Sequence, residues 1–436
     1  MNQQDPVLAF EQTTVYQLAS SWLDNPGEDP AVLEWLKDLT DPDPEQRRIA
    51  TFRMWQSRDA RVRIPLLVAL RDPDERVRGE AAFALFRYPD ADNVEPLITA
   101  FLEGGRSVRS SAAVALGFLG DHRAAEPLLT VFEEEITRRR QEAEGEGKRY
   151  HLEHYLEMII GALARLGDER AVEPLIATLE NLNWREQGKI ARALASLKDR
   201  RAVKPLLAAL YEVMKHAQEE TTNQNTFRIP ILPEGLFWAL SEFGERRAVK
   251  PMLVLLANKS LLVGDRFTLA KALGKMGDRR AVDLLCSVLG EKHLNLRLAA
   301  ARALGQLGDA RAVEELCSAL TARSGHLRAA SARALGQIGD PRAVELLLAL
   351  LQDTRLSVRQ AALWSLCKMG DERALEPLLL LVRQGSGRQR RAAAQALGRI
   401  GDVRAVESLV DALQDQDRAV SAAARNALKQ LNLRSA

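Results

Sequence analysis

The sequence predicts an all-α fold, a right-handed α-solenoid of about twelve stacked helix pairs. Three observations predict it. One phrase, Gly-Asp-x-Arg-Ala-Val-Glu followed by a leucine-rich run, returns throughout the 436 residues. Its turn residue stands at Gly27, Arg58, Pro89, Gly120, Gly167, Lys198, Gly244, Gly277, Gly308, Gly339, Gly370 and Gly401, at intervals of 31, 31, 31, 47, 31, 46, 33 and then four of 31. Between turns, apolar residues recur at helical spacing, as in VRQAALWSLCKMG ending at Gly370.

Each element of the repeat has a physical reason. Glycine at the turn supplies the left-handed residue that ends the first helix. The next position is Asp or Glu in all twelve turns, where a carboxylate can accept the free N–H groups of the following helix. Proline recurs seven residues after the turn at Pro65, Pro96, Pro127, Pro174, Pro205, Pro251 and Pro377. Proline is excluded from a helix interior, so the second helix starts near it and the Arg-Ala-Val lead-in forms a short 3₁₀ turn. A 31-residue pair cannot bury its apolar face alone, so neighbours must stack. Single helices at 7–23 and 420–433 read as end caps. The expected organisation is a capping helix at 1–26, repeats at 27–131, central repeats at 132–243 with insertions at 132–151 and 211–230, and regular repeats with a terminal cap at 244–436.

Composition narrows the function. The chain carries 61 basic and 59 acidic residues, a formal net charge of +2, which gives no case for a nucleic-acid or acidic-membrane binder. Three cysteines without a pairing pattern, and a start lacking an export signal, read as a cytoplasmic protein without a membrane span.

The phrase GDxRAVEPLLxAL resembles the HEAT-like repeats named after the phycobilin lyase subunits of cyanobacteria, from position 27 to 433. The resemblance implies a helical repeat scaffold. It also implies an alternative function, an E/F-type phycobilin lyase or bilin chaperone that delivers an open-chain tetrapyrrole to a phycobiliprotein cysteine. HEAT-repeat di-iron hydroxylases need repeated His-Glu pairs, and no His-Glu dipeptide occurs here.

Two arginine series follow the lattice. One lies three residues after the turn (Arg61, Arg123, Arg170, Arg201, Arg247, Arg280, Arg311, Arg342, Arg373, Arg404), the other eleven before it (Arg47, Arg78, Arg109, Arg266, Arg297, Arg328, Arg359, Arg390). A phosphate groove and a structural Asp–Arg ladder both fit this pattern; the matching acidic period favours the ladder. Cys286 and Cys317 hold equivalent positions normally filled by aliphatic residues and read as core, as does Cys367. His151, His154 and Glu157 have helical spacing that a metal site could use, without an identifiable fourth ligand. No metal and no resident cofactor are expected.

The central repeats break the pattern. Two insertions emerge there, and the pre-turn arginine is replaced by Leu156, Gln187 and Pro233. Tyr150, His151, His154, Tyr155, Trp184, Tyr211, His216, Phe227, Phe237 and Trp238 gather in the same region. In repeat arrays, insertions often map to a binding face. The expected binding residues are therefore these aromatics and histidines other than Phe237, with Glu173, Lys204 and Tyr211 on the floor of the site. Trp22, Trp35 and Trp55 read as core and cap packing. The expected function is a non-enzymatic scaffold that holds a protein partner on its central repeats.

Overall fold

The computed structural model describes residues 30–144, 152–179, 182–222 and 232–434. Helices alternate along these residues, without a β-strand among them. The chain divides into two compact units, 1–209 and 210–436. In the first unit lie α1 (Pro30–Asp38), α2 (Pro44–Ser57), α3 (Arg63–Ala69), α4 (Glu75–Leu85), α5 (Val94–Glu103), α6 (Arg106–Leu119), α7 (Ala125–Glu144), α8 (His154–Leu166), α9 (Val172–Leu179) and α10 (Trp184–Leu197). Helix α11 (Val203–Thr222) begins in the first unit and ends in the second. The second unit continues with α12 (Glu234–Glu242), α13 (Val249–Ala257), α14 (Val263–Met276), α15 (Val282–Leu289), α16 (Leu294–Leu307), α17 (Val313–Ala319) and α18 (Gly325–Ile338). It closes with α19 (Val344–Ala349), α20 (Leu356–Met369), α21 (Leu375–Gln384), α22 (Gly387–Ile400), α23 (Val406–Asp411) and α24 (Arg418–Arg434). Even-numbered helices are the first members of each pair and odd-numbered helices the second. Each unit is an α-solenoid. The cap expected at 7–23 lies outside the described residues.

The turns work as their residues require. Eight turn glycines have φ between 63° and 80°, the left-handed region. Arg58 and Lys198 enter it without glycine's freedom, at 60° and 59°. Pro89 cannot reach a positive φ, and there the chain solves the turn differently. Helix α4 stops at Leu85, the Tyr88 hydroxyl donates to the Met54 carbonyl at 3.0 Å, and Asn93 Nδ2 donates to the Tyr88 carbonyl at 2.8 Å. After each described turn the carboxylate accepts the backbone N–H two residues on and caps a three-residue 3₁₀ helix, as Asp121 and Asp309 do. All seven recurrent prolines are the third residue of their second helix, as in α3, α5 and α21, where no intrahelical donor is needed.

Both arginine series are structural. In the post-turn series each guanidinium grips the carboxylate of its own turn, and Arg123, Arg170, Arg201, Arg280, Arg311, Arg342 and Arg373 also reach back one repeat. Arg311 donates to Asp309, to Asp283 at 3.0 Å and to the Arg279 carbonyl at 2.9 Å. Arg342 donates to Asp340 and to the Ala310 carbonyl at 3.2 Å. The paired arginine holds the carboxyls of Asp59, Asp121 and Asp278 at about 2. These arginines are nonetheless half exposed, 51% for Arg311 and 54% for Arg342, so the ladder stands in water.

The pre-turn series is the more enclosed one, with Arg47 and Arg266 buried and the others half-buried. Arg47 is bidentate on Asp72 at 2.7 and 2.9 Å and also donates to the carbonyls of Asp41 and Pro42. Arg328 and Arg390 repeat this with Asp353 and Asp415. Arg78, Arg109, Arg266, Arg297 and Arg359 likewise donate to carbonyls at the end of the preceding second helix. A cation there satisfies orphan carbonyls and complements the negative end of the helix.

A third position sets how closely first helices pack. Three residues before the turn stand Gly117, Gly274, Gly305, Gly336 and Gly398. A Cβ on Gly274 would lie 2.6 Å from Ala303 Cα, and one on Gly336 would lie 2.6 Å from Ser365 Cα. Gly117, Gly305 and Gly398 are as tight against Ala162, Ala334 and Ala427. The helix pairs joined by these glycines are the most extensively packed of the first-helix neighbours, whereas α2 against α4, with Trp55 at this position, pack less.

Candidate functional site

The described part of each insertion, 132–144 and 211–222, is helix. Helices α7 and α11 run 20 residues each, against 6 to 10 for the other second helices. That extension explains the missing arginines. Where a second helix continues past its usual end, no carbonyls are orphaned there, and Leu156 replaces the cation with a fully buried side chain. After the short helix α9, the neutral Gln187 takes over the same duty, its Nε2 donating to the carbonyls of Leu179 and Leu182 at 3.1 and 3.2 Å. The absent arginines thus mark longer helices and an amide cap, a structural cause that does not require a ligand.

A polar network fixes the extension of α7 to the start of α8. Glu135 pairs with Arg138 and Arg139, Arg139 pairs with Glu153, and Arg106 pairs with Glu153 at 2.8 Å. Tyr155 hydrogen-bonds Glu135; burial, followed by this carboxylate partner, pushes its hydroxyl up to about 12.

The expected site residues separate under these constraints. Tyr150, His151 and Phe227 lie outside the described residues. In the first unit, Tyr155 is 4% exposed and is a buried strut rather than a contact surface, because its ring packs under α7. Glu173 is exposed and serves the ladder, accepting from Arg201 at 3.0 Å. Lys204 occupies the position of Glu173 one repeat later and replaces its negative charge with a positive one. His154 is exposed and Trp184 half-buried, each as the first residue of its helix. Glu157 pairs with Lys189. In the second unit, Tyr211 and His216 are exposed on α11, and Trp238 is 40% exposed on α12 with Lys275 5.9 Å from its ring centre. Phe237, its neighbour, is core. Among the described residues no group of three His, Cys, Asp or Glu side chains is placed to hold a metal. Cys367 is buried and its thiol is pushed up to about 12; Cys286 and Cys317 are only half-buried, with burial raising both thiols. No described helix is long and apolar enough to cross a membrane.

The sequence reading missed another surface. Phe52 and Trp55 on α2, Phe83 on α4 with Phe86 just past its end, and Phe118 on α6 form an unbroken row. Ring centres follow one another at 5.4, 6.2, 5.0 and 5.2 Å. Phe52, Phe83 and Phe118 are 38, 37 and 52% exposed. Arg87 lies 5.3 Å from the Trp55 ring centre and Arg165 of α8 lies 4.5 Å from that of Phe118. Trp55 is half-buried, its indole Nε1 enclosed, and its ring also joins the exposed phenylalanines into one row. The signal was available: these residues sit six, three and two before the turn, where the regular repeats of the second unit carry Lys271, Gly274, Lys275, Arg302, Gly305 and Gln306.

Comparison with known proteins agrees with this architecture. The HEAT repeats family matches residues 64–145, 264–326, 289–366, 313–391 and 355–429, more than half of the chain. The chain belongs to the HEAT-repeat family. The PBS lyase HEAT-like repeat matches 157–181 and 187–212. No curated protein matches the sequence. Importin beta is similar in structure, with TM-score 0.60 at 12% identity over 98% of this chain and 73% of its own. Kap121p has TM-score 0.51 at 12% identity, over 96% of this chain and 49% of its own. At that identity both show the fold alone. The complex of CpcE and CpcF of phycocyanin lyase from Nostoc sp. PCC7120 shares 26% identity over 47% of this chain and 82% of its own, with TM-score 0.33.

Proposed function

We propose that this HEAT-repeat chain is a non-enzymatic adaptor that binds a protein partner on exposed faces of its repeats. The observation that carries this reading is the aromatic row from Phe52 to Phe118. The core of the fold is filled by Leu, Ala and Val from both helices of each pair, and the row adds large apolar area outside it. Exposed contiguous aromatics mark interaction surfaces, because rings offer large contact area at low entropic cost. In the central repeats, Tyr211, His216 and Trp238 of the second unit, and His154, Trp184 and Lys204 of the first, remain contact residues under the same proposal. The test is affinity purification of the full chain beside two variants, Phe83→Ser with Phe118→Ser, and Tyr211→Ala with Trp238→Ala. Loss of one defined partner with either pair, at unchanged helical signal, supports the reading and locates the surface; retention of every partner with both pairs overturns it.

A second reading has one specific observation in its favour, the two PBS lyase HEAT-like repeats at 157–181 and 187–212. In that reading the partner is a phycobiliprotein subunit and the chain carries an open-chain tetrapyrrole to it, as a transferred ligand. Purification after co-expression with a bilin supply decides it: a coloured protein favours the pigment carrier, and a colourless protein that retains a partner favours the adaptor.

A further inference from the structure

We infer that the first-helix face of the second unit, from α16 to α24, is a docking surface for an extended, acidic protein segment. The inference rests on the adaptor reading, adds a surface to it and names the chemistry of the partner. Three features select this occupant.

The first is charge. Helices α16, α18, α20, α22 and α24 carry no Asp or Glu. The carboxylates of these repeats stand in the turns, the loops and the second helices, where the two arginine series pair with several of them. Arg302, Arg333, Arg425 and Lys429 are exposed on the first helices and have no carboxylate partner among the described residues. This is not a rule of the repeat. First helices of the first unit carry Glu45, Glu75, Glu80, Glu157 and Glu186, and Glu45 and Glu157 pair with Arg48 and Lys189. A face of one sign, in a chain whose net charge is only +2, attracts an anionic partner.

The second is a set of idle amides, and it separates a peptide from other polyanions. Gln306, Gln337, Gln395 and Gln430 are exposed on this face, and none hydrogen-bonds another described residue. Gln306 and Gln337 stand one helical turn after Arg302 and Arg333, so amide and cation share a face. The close packing of the helices positions three of the four. A Cβ on Gly274, Gly305 or Gly398 would collide with Oε1 of Gln306, Gln337 or Gln430 on the next first helix, so each amide lies across the notch that the glycine leaves. A primary amide both donates and accepts. The main chain of an extended peptide offers N–H and C=O groups to match. A phosphate backbone only accepts, and an α-helix pairs both groups internally.

The third is the scarcity of rings. Trp364, 43% exposed, is the one aromatic residue of these five helices. Single-stranded nucleic acids are held by stacking successive bases on several rings, which this face does not supply. Beside Trp364, between α20 and α22, opens a recess of about 570 Å³ lined also by Lys368, Arg388, Gln395 and Arg399 and by no carboxylate. It suits one acidic side chain of the segment as an anchor.

The test is fluorescence anisotropy on the full chain, at low salt, with a fluorescein-labelled peptide of six Glu-Thr repeats, whose β-branched residues favour an extended chain. The comparisons are the same peptide N-methylated at each Thr and a thymidine oligonucleotide of equal charge. Saturable binding of the Glu-Thr peptide is expected, weakened at least about tenfold by N-methylation, which removes main-chain donors. Arg302→Gln with Arg333→Gln should weaken it at least about fivefold and flatten its salt dependence. Gln306→Ala with Gln337→Ala should weaken it about as much, at least about threefold, with the salt dependence kept. Circular dichroism confirms folding of each variant. Equal or tighter binding of the oligonucleotide, indifference to N-methylation, or indifference to both pairs of substitutions would each overturn the inference. If the peptide fails while Phe83→Ser with Phe118→Ser, or Tyr211→Ala with Trp238→Ala, still strips a co-purifying partner, the adaptor reading stands and this inference falls. If the peptide fails and both aromatic pairs leave every partner in place, both fall.

Discussion

The same three positions on the first helices are used in opposite ways by the first repeats of the first unit and by the regular repeats of the second. In the second-unit repeats that end at Gly277, Gly308 and Gly339, glycine three residues before the turn lets neighbouring first helices touch, and the flanking positions carry Lys271, Lys275, Arg302 and Arg333; Trp238 and Trp364 are single exposed aromatics at the outer position of two other repeats. In the first-unit repeats that end at Arg58, Pro89 and Gly120 the equivalent positions hold Phe52, Trp55, Phe83, Phe86 and Phe118, with Gly117 alone among them restoring the close approach. Both solutions bury the leucine and alanine core equally well. The difference therefore teaches that the aromatic row is not demanded by folding, since the second unit folds without it.

The comparison can be broken first at the buried arginines, which both units share. Arg47→Ala strands Asp72, fully enclosed at 0% exposure, and uncaps the carbonyls of Asp41 and Pro42. A loss of about 3–5 kcal/mol is expected in denaturant unfolding. A loss below about 1 kcal/mol would show that the buried ion pairs do not stabilise the first unit.

The glycine rule comes next. Gly336→Val drives a side chain into the backbone of Ser365 and should cost about 2–3 kcal/mol, whereas Phe83→Ser, in the other use of this face, should leave the unfolding midpoint nearly unchanged. Equal destabilisation by both would erase the distinction between the two units.

A smaller effect belongs to the second unit alone. Asp265 on α14 is 4% exposed, one carboxylate oxygen has no partner, and burial pushes its carboxyl up to about 6 from 3.8. A raised carboxyl favours the folded state fully below its ordinary value and loses that contribution as pH rises through about 6. Asp265→Asn should accordingly be neutral near pH 4 and stabilising by about 1–2 kcal/mol at pH 7.5, read from thermal unfolding at both pH values. A variant that destabilises at pH 7.5 would show that the carboxylate has a compensating partner.

The smallest effect should come from the outer ladder. Arg342→Ala removes contacts to Asp340 and Ala310, but both ends sit in water and their charges are screened. Little change in unfolding midpoint is expected. A loss as large as that of Arg47→Ala would place the ladder, rather than the buried series, at the centre of repeat cohesion.

Much of this was legible because a repeat states its own grammar. Twelve copies of one turn, with acid after it and proline seven residues on, give the pairing of helices, the left-handed turns and the 3₁₀ lead-ins. These depend on neighbours in the chain, through fixed φ, a missing N–H and a cap two residues away. The candidate site was less legible. Tyr155 looked like a recognition aromatic, yet it is enclosed beneath α7, and Glu173 looked like a floor residue, yet it belongs to the ladder. Trp55 packs as expected with its indole nitrogen enclosed, but the row of exposed phenylalanines it joins was not anticipated.

By itself, then, the sequence determined what each 31-residue unit does to its own backbone, since those constraints act within a few residues. Only the tertiary structure decided which side chains of that unit meet water. Exposure depends on how far successive first helices approach, and that distance is set by residues 29 to 45 positions apart in the chain, such as Gly274 with Ala303 or Gly117 with Ala162.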